Sequence, residues 1–448
     1  MRVFLLLLGD LMVLYASLAL TVLLRYGEAE WLTRLIPHLL PFSGVFAIWL
    51  IIFYIAGLYD FRKLRNRLDF FQVLSASLLI NTLLAILFFY FTRASGITPK
   101  TNLVVFLVLF FILETLWRQW FNFVSRSLRP VSRVVLLGEN SPNEELYRFL
   151  KENPQLGYEV RAWVQASGDL PAQAHSWEEL ARSNSADMLV IPRNILRDHK
   201  LKKTFPALVE SGVEIKDLPT FYESVFRKVP LSEIDEEWFL EHITGTHDIY
   251  ELLKRGVDFG IALITQIIFL PFEIIIVPLV KLTSAGPVIY RQVRAGRHGH
   301  RFVLYKFRRM YNDKAKNPDA DSSSPIWSPP VGDSRETPVG KFLRASHLDE
   351  LPQLLNILKG DMSFVGPRPE RPELIQKIKN SVPYYEMRSL IKPGLTGWAQ
   401  IHHPKDATAE DVKEKLSYDL YYLKNRSFII DVAIILKTIK VLFVNPGR

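Results

Sequence analysis

The 448-residue chain contains no cysteine. This absence excludes a disulfide scaffold, an iron–sulfur cluster, a thiolate zinc site and a cysteine nucleophile. Low-complexity tracts are also lacking, and apolar residues make up 49% of the chain, which excludes a disordered protein. The length predicts about two to four folded units. Lysine and arginine outnumber aspartate and glutamate by 55 to 46, a net charge of +9. Nucleic acid, an anionic membrane surface and phosphorylated substrates are therefore the partner classes to distinguish.

Long apolar runs concentrate at the N-terminus. A bilayer core needs about 20 apolar residues per helix. Four runs reach that length, namely Val3–Leu24, Ile36–Tyr59, Phe70–Thr92 and Leu103–Val124. The first run is too long for a signal peptide and lacks a cleavage site. The loop FRKLRNRLD between the second and third runs carries four cations, and three arginines closely follow the fourth run. The positive-inside rule therefore predicts a bundle of four transmembrane helices over 1–128 with both ends in the cytoplasm.

Residues 129–240 predict a Rossmann-like cytoplasmic α/β domain, because short apolar strands alternate with helical stretches, as in a parallel sheet. The predicted strands are Val134–Leu137, Tyr158–Val164, Asp187–Pro192 and Val213–Leu218. A dinucleotide site needs a G-x-G-x-x-G turn after the first strand. Here the turn is GENSPNEEL, with only Gly138 and with Glu139 placed to repel phosphate. We expect a structural or self-association module, and with it a homodimer, in place of nucleotide binding.

A fifth apolar segment, Gly256–Val280, is hydrophobic enough to enter lipid. Lys254 and Arg255 precede it and several further cations follow it, so both of its ends are expected on one face. Pro271 lies in its middle and interrupts the helical hydrogen-bond ladder. We therefore expect a Pro-broken re-entrant membrane helix over 254–282. The alternative is an ordinary fifth span, which would place the rest of the chain outside the cytoplasm.

Cations cluster at glycine and proline turns in 283–401, around the adjacent acids Asp349 and Glu350. The cations are Arg291, Arg294, Lys306, Arg308, Arg309, Arg344, Arg368 and Arg371. Unit charges 4 Å apart repel by about 1 kcal/mol in water and by about 4 kcal/mol at an effective dielectric of 20. Bringing phosphorylated molecules together therefore requires arginines, which bind phosphate in a bidentate manner, and a divalent cation held by carboxylates. One acid could hold the metal while the other acts as nucleophile. These residues alone indicate phosphate chemistry at a membrane face and leave transferase and hydrolase open.

The segment LRASHLDELPQLLNILKGDMSFVGPRPE resembles the signature of the bacterial polyprenyl-phosphate glycosylphosphotransferases, sugar transferases that initiate exopolysaccharide, capsule and O-antigen synthesis. YKFRRM, KPGLTGWAQ, KLSYDLYYLKN and KRGVDFG resemble their flanking motifs. The resemblance covers 250–445 almost continuously and implies a mostly helical catalytic domain over 250–448. The predicted membrane bundle and α/β domain also resemble the large-form members, although many of those keep a fuller glycine-rich turn at the position of Gly138.

The resemblance also implies a mechanism and a set of site residues. Asp349 attacks the β-phosphate of a nucleoside-diphosphate sugar, with a UDP-hexose as the expected donor, and a nucleoside monophosphate leaves. Undecaprenyl phosphate then takes the phosphosugar from the aspartate. Glu350 would coordinate Mg²⁺ as the metal ligand. The expected contacts to substrate phosphates are Lys306, Arg308, Arg344 and Arg368. The resemblance places this reaction at the cytoplasmic face of the bacterial inner membrane, among its lipids.

Two other classes of function remain as alternatives. A membrane-anchored scaffold with an inactive catalytic domain would not need the acidic pair and the motif arginines, which are all intact. A nucleic-acid binder would need a recognition helix or an RNA-binding motif, and the sequence contains neither. We therefore expect no nucleic-acid partner. The sequence does not determine the sugar, the nucleotide or the polysaccharide pathway.

Overall fold

A computed structural model describes 2–59, 68–92, 99–127, 131–164, 174–197, 208, 210–243, 248–311, 335–403 and 408–444. The chain folds as two compact units, Met1–Lys216 and Asp217–Arg448. The first unit contains long apolar helices and a four-stranded sheet. The second unit contains the acidic pair and its surrounding cations.

Three long helices open the first unit: α1 (Arg2–Ala56), α2 (Leu68–Thr92) and α3 (Pro99–Ser127). α1 contains the first two predicted runs, joined at Gly27, whose φ of 74° and ψ of 172° are not helical. Glycine adopts such a positive φ without steric cost. All three helices are long and apolar enough to cross a membrane. The four predicted runs are thus confirmed as apolar helices, with a kink where a loop was expected between the first two.

A buried ion cluster lies inside this group of helices. Arg118 of α3 donates to Glu114 at 2.7 Å, to the carbonyl of Leu58 at 2.8 Å and also to Asp10. The Nε1 of Trp117 donates to Asp10 at 3.0 Å. The three charged side chains are at most 2% exposed, and charges at such positions are costly unless they are paired. This pairing explains why one aspartate is tolerated in the first apolar run.

The sheet of the first unit has the strand order β2-β1-β3-β4. Its strands are β1 (Ser132–Leu137), β2 (Tyr158–Val164), β3 (Met188–Ile191) and β4 (Glu214–Asp217). Its helices are α4 (Ser141–Glu152), α5 (Ala174–Ser183) and α6 (Arg193–Leu196). β1 pairs in parallel with both β2 and β3, which confirms the predicted α/β arrangement. The turn after β1 is closed by Asn140, whose side chain accepts the backbone N–H of Asn143 at 3.0 Å and so caps α4.

The second unit is mostly helical. Its elements are α7 (Leu218–Phe226), α8 (Glu236–Ile243), α9 (Asp248–Thr283), β5 (Ile289–Ala295), β6 (Arg301–Phe307), α10 (Pro338–Ala345), α11 (Gln353–Lys359), β7 (Ser363–Val365), α12 (Pro372–Ile378), β8 (Gly394–Thr396), α13 (Trp398–His402), α14 (Ala409–Asn425) and α15 (Phe428–Val444). β5 and β6 form an antiparallel hairpin, and β7 pairs in parallel with β8. Trp238 of α8 and Leu420 of α14 share one apolar core. α7 and α8 therefore belong to this unit, while the domain limits drawn from the sequence stay a prediction.

α9 is a single 36-residue helix with Pro271 inside it. Its backbone stays helical through the proline, and Gln266 donates to Glu273 at 2.8 Å across it. Apolar side chains project outward along the helix, with Ile275 60% exposed and Leu282 84% exposed. An apolar surface of this length suits the hydrocarbon core of a bilayer. The segment predicted to enter lipid therefore forms a helix that suits that environment.

Candidate active site

The acidic pair lies on a single 3₁₀ turn, Leu348–Glu350, between α10 and α11. α10 is capped by Thr337, whose hydroxyl accepts the backbone N–H of Gly340 in the first turn at 2.9 Å. α11 begins after Pro352, close to the pair. Between these helices His347 has a left-handed backbone with φ of 55°, which turns the chain sharply. Asp349 is only 2% exposed at this turn.

Cations from two other segments hold Glu350. Lys306 of β6 donates to Glu350 Oε1 at 2.6 Å, and Arg368 Nη2 lies 3.9 Å from the same oxygen. Burial alone would raise the pKa of Glu350, but Lys306 and Arg368 outweigh burial and hold this pKa at about 2. Burial also lowers the pKa of Lys306, which the charge of Glu350 opposes. Glu350 is therefore a fixed negative charge at neutral pH.

Asp349 has the opposite electrostatic environment. Burial, and then the charge of Glu350, raise the pKa of Asp349. The cation in contact with it is Arg309, whose Nε lies 3.4 Å from Asp349 Oδ2. A more basic carboxylate is a stronger nucleophile, and two acids whose pKa values are moved apart are typical of a catalytic pair.

Arg309, one of the clustered cations, contacts Asp349, whereas the resemblance implied Arg308 as the contact to a substrate phosphate. Side chains alternate along a strand, which favours Lys306 and Arg308 on one face. β6 ends at Phe307, however, so the alternation does not extend to Arg308. The guanidinium of Arg308 donates to the carbonyls of Ser284 and Pro287, each at 2.6 Å. Arg308 thus secures the chain after α9, and its contact with a substrate phosphate stays a prediction.

Arg344, in the last turn of α10, donates to Glu336 Oε1 at 3.1 Å. Glu336 is 4% exposed, so this pair fixes the segment before α10 to the end of the helix that leads into the acidic pair. Of the four cations predicted to bind substrate phosphates, the structure brings Lys306 and Arg368 to Glu350. Arg344 stays a predicted phosphate contact.

The loop that carries Arg368 is held by two arginines. Arg388 Nη2 donates to the carbonyl of Arg368 at 3.2 Å and pairs with Asp419 at 2.8 Å. Arg294 Nη1 donates to the carbonyl of Pro369 at 3.0 Å. Both arginines therefore act on the loop backbone and set where the guanidinium of Arg368 lies. No motif in the sequence indicated the part played by Arg388, because its contacts join residues distant along the chain.

The carboxylate oxygens of the acidic pair suit a metal ion that also takes ligands from a bound substrate. Within the described part of the chain, no group of three or more histidines and acids lies together. Mg²⁺ is usually held by one or two carboxylates, with substrate phosphates and water as its other ligands. Glu350 fits this requirement, because Lys306 occupies Oε1 while Oε2 makes no hydrogen bond to any described residue.

Comparison with known proteins agrees with this chemistry. Residues 249–445 match the family model for bacterial sugar transferases. A UDP-glucose:undecaprenyl-phosphate glucose-1-phosphate transferase from Xanthomonas campestris pv. campestris is 30% identical over 343 residues, which cover 72% of this chain and 69% of that protein. An undecaprenyl-phosphate galactose phosphotransferase from Salmonella typhimurium is 36% identical over 239 residues, which cover 50% of this chain and 48% of that protein.

A third relative differs in its sugar. A UDP-N-acetylgalactosamine-undecaprenyl-phosphate N-acetylgalactosaminephosphotransferase from Aeromonas hydrophila is 39% identical over 199 residues. These residues cover 44% of this chain and 45% of that protein, so the match spans about half the length of the Aeromonas and Salmonella relatives. Because the three names specify three sugars, similarity alone does not select one.

Proposed function

The chain belongs to the bacterial sugar transferase family, and we propose that it transfers a phosphosugar from a nucleoside-diphosphate sugar to polyprenyl phosphate. The names of the relatives support undecaprenyl phosphate as acceptor and a UDP-sugar as donor. The observation that carries the proposal is the pair of unlike acids. Asp349 is buried with a raised pKa, beside a Glu350 that Lys306 keeps ionised. The reaction would be the first membrane step of exopolysaccharide, capsule or O-antigen synthesis.

In the first step a carboxylate oxygen of Asp349 attacks the β-phosphorus of the donor. The bond between that phosphorus and the bridging oxygen breaks, and a nucleoside monophosphate leaves with the bond's electron pair. The product is a phosphosugar joined to Asp349 as an acyl phosphate. The raised pKa of Asp349 supports this role, because it marks a carboxylate that is more basic than usual. Arg309, 3.4 Å from Asp349, is placed to contact the incoming phosphate.

In the second step a phosphate oxygen of the polyprenyl phosphate attacks the same phosphorus. The bond to the Asp349 oxygen breaks, which restores the carboxylate and forms a polyprenyl-diphosphate sugar. Both steps bring several phosphate charges together, and the cations Lys306, Arg309 and Arg368 reduce that repulsion. These contacts at the acidic pair make a transferase a better interpretation than an inactive scaffold.

The proposal includes Mg²⁺, held by Glu350 together with the substrate phosphates. When bound, the ion would neutralise charge on the diphosphate that is being cleaved. Lys306 keeps Glu350 ionised and fixes one of its oxygens. Arg368 lies close to that same oxygen. The side chain of Glu350 is thus oriented before any substrate arrives.

The proposal also places the catalytic unit at the cytoplasmic face of the inner membrane. We propose that α9, which is helical throughout in this structure, bends at Pro271 when it enters the bilayer and so returns to the same face, with Pro271 at its deepest part. Lys254 and Arg255 before the apolar stretch and Lys281 after it support this, since cations favour the cytoplasmic side. Proline removes one backbone hydrogen bond and so makes bending less costly. The sheet of the first unit would serve as the contact between the two copies of a homodimer.

Release of nucleoside monophosphate tests the reaction. The full chain in nanodiscs would receive undecaprenyl phosphate, Mg²⁺ and a panel of nucleotide sugars. We expect release from one donor, dependent on the acceptor lipid over many turnovers and abolished in Asp349→Asn. Glu373→Gln, which changes an exposed carboxylate of α12, is the matched control and should retain activity. Turnover by Asp349→Asn at the rate of the unmodified protein would remove Asp349 from the mechanism.

The covalent step has its own test. Incubated with the donor but without acceptor lipid, the protein should gain the mass of one sugar phosphate, on the peptide that contains Asp349. Adding undecaprenyl phosphate should remove this mass. A turnover-competent protein that never gains the mass would indicate direct transfer between the two substrates.

A further inference from the structure

An open cavity lies at the start of α9, within the second unit, with about 360 Å³ of empty space that includes the solvent at its mouth. One face of the first turns of α9 forms a wall of it, through Tyr250, Lys254, Arg255 and Asp258. The charged lining is completed by Glu251, also of α9, by Lys392, just before β8, and by Arg426, just after α14. Neither Asp349 nor Glu350 lines the cavity. It is therefore separate from the reacting carboxylates.

Two of the lining cations are neutralised by carboxylates. Lys254 Nζ lies 2.6 Å from Asp431 Oδ2, and Arg426 Nη1 lies 2.7 Å from Glu251 Oε1. Asp431 also accepts from the hydroxyl of Tyr250 at 2.7 Å. These contacts join α9 to α14 and α15 and make the wall rigid.

Arg255 is engaged differently, because it bonds to carbonyls. Its guanidinium donates to Ile357 at 2.5 Å and to Leu358 at 2.7 Å, at the C-terminal end of α11. Backbone carbonyls satisfy these donors but do not cancel the positive charge. Arg255 therefore adds net positive charge to the cavity.

Lys392 is the cation of this cavity that lacks a bonding partner. Its ammonium is half-buried and makes no hydrogen bond or ion pair to any residue that the structure describes. Burial, and then the nearby charge of Arg255, lower the pKa of Lys392. Arg426 contributes a second unsatisfied donor, because its Nε is buried and has no acceptor among the described residues. Buried donors are costly when left without an acceptor, so the lining is suited to an anion that offers several oxygens.

The position of the cavity indicates where such an anion comes from. Beyond the cavity α9 continues as an apolar surface, with Phe259 45%, Ile261 39% and Ile264 60% exposed. The charged cavity therefore lies where a helix suited to lipid begins. A phosphate group attached to hydrocarbon chains matches both features at once.

We propose that this cavity binds the phosphate group of an anionic phospholipid, with the acyl chains along α9. Lys392 donates to the phosphate, and Arg255 supplies long-range attraction. A free phosphate shares the headgroup's chemistry but would leave the apolar surface of α9 uncovered. The bound lipid would fix the depth at which the catalytic unit lies in the membrane.

Native mass spectrometry of the detergent-solubilised full chain tests this site without turnover, so its result does not depend on Asp349. The probes are phosphatidic acid and phosphatidylcholine with the same acyl chains. We expect a preference for phosphatidic acid, and about tenfold weaker binding of that lipid to Lys392→Gln. Lys392→Arg should restore the affinity, and Lys377→Gln, on the exposed face of α12, should leave it unchanged. Lys392 forms no ion pair with a described residue, so replacing it leaves no described carboxylate unpaired. The fold should therefore tolerate the change.

Two results would overturn the proposal. The first is unchanged affinity of Lys392→Gln for phosphatidic acid. The second concerns the source of the phosphate, tested by adding inorganic phosphate as a competitor. We expect phosphatidic acid to remain bound in the presence of an equal concentration of inorganic phosphate. Its displacement would show that the cavity recognises free phosphate, and the assignment to a lipid would be wrong.

Discussion

Asp349 and Glu350 are neighbours in the chain, yet Lys306 bonds to Glu350 at 2.6 Å while Arg309 lies 3.4 Å from Asp349. The strong ion pair keeps Glu350 ionised, and the weaker contact leaves burial as the main influence on Asp349. Two carboxylates of similar intrinsic acidity are thereby given different tasks. The roles of nucleophile and metal ligand proposed here follow that division.

At the residue scale, we first predict the effect of Lys306→Met. The change removes the cation that most strongly opposes burial at Glu350, so the pKa of Glu350 should rise. Loss of one preorganised charged donor typically costs about a hundredfold or more in rate. Nucleoside-monophosphate release should fall by that order. Lys377→Met is the control, and equal activity of Lys306→Met and this control would contradict the orienting role of Lys306.

A second residue-scale prediction concerns pH. In the proposed mechanism Asp349 must be ionised to attack, and its pKa is raised. The kcat/KM should therefore fall as the pH drops through a pKa above that of an ordinary carboxyl group. A nearby cation stabilises the carboxylate, so Arg309→Ala should raise this pKa further and move the acidic limb to higher pH. The pH profiles of the two proteins measure the shift. An acidic limb that moves to lower pH in Arg309→Ala would contradict the contact.

At the scale of elements, α10 packs so closely against the segment that follows β6 that position 340 requires glycine. A Cβ on Gly340 would lie 2.0 Å from the carbonyl oxygen of Arg309. The same backbone region carries the guanidinium that contacts Asp349. Gly340 therefore keeps the helix before the nucleophile in contact with the segment that provides Arg309.

We predict that Gly340→Ala both destabilises the second unit and lowers turnover. Overpacking of this kind costs about 1–3 kcal/mol, and here the obstacle is backbone, which yields less than a flexible side chain. Gly260→Ala in α9 is the matched control, because a Cβ there meets nothing within 4 Å. Denaturant midpoints and nucleotide release measure the two effects. A Gly340→Ala protein as stable and active as the control would show that the two segments can separate without loss.

The sequence predicted best those elements whose limits depend on the residues within and next to them. Tyr158–Val164 was predicted with the observed bounds, since its apolar run and flanking turns depend on neighbouring residues alone. The resemblance implied Arg308 as a phosphate contact, but the arginine beside Asp349 is Arg309. Its position depends on where β6 ends, which the pairing of β5 with β6 determines. Arg388 was not predicted either, because Arg368 and Asp419, which it joins, lie 20 and 31 residues away along the chain. Residues placed by long-range contacts were thus the ones missed.

At the scale of the whole molecule, hydropathy was sufficient to predict the membrane helices. The kink at Gly27 was not predicted, because glycine is also common within transmembrane helices and does not by itself mark a break in one. The re-entrant orientation proposed for α9 rests on the cations at its two ends. It determines the side of the membrane on which all later residues lie.

We predict that a reporter fused to Arg448 is found in the cytoplasm. Pro271→Ala should shift part of the population to a spanning form, because alanine restores the missing backbone donor and favours a straight helix. Alkaline phosphatase and green fluorescent protein fusions would distinguish the two sides. A Pro278→Ala variant, at the second proline of α9, is the control for a change nearer the helix end. A periplasmic reporter on the unmodified chain would contradict the re-entrant arrangement.

The burial of Asp349 has a consequence for fidelity. An acyl phosphate on this side chain is a reactive species that bulk water would hydrolyse, releasing free sugar phosphate. With 2% of the residue exposed, water has little access to the attached carbon and phosphorus. The lifetime of the intermediate would then be set by the arrival of the lipid acceptor. A cell short of that acceptor would accumulate enzyme that carries the phosphosugar on Asp349, and it would not deplete its nucleotide sugars.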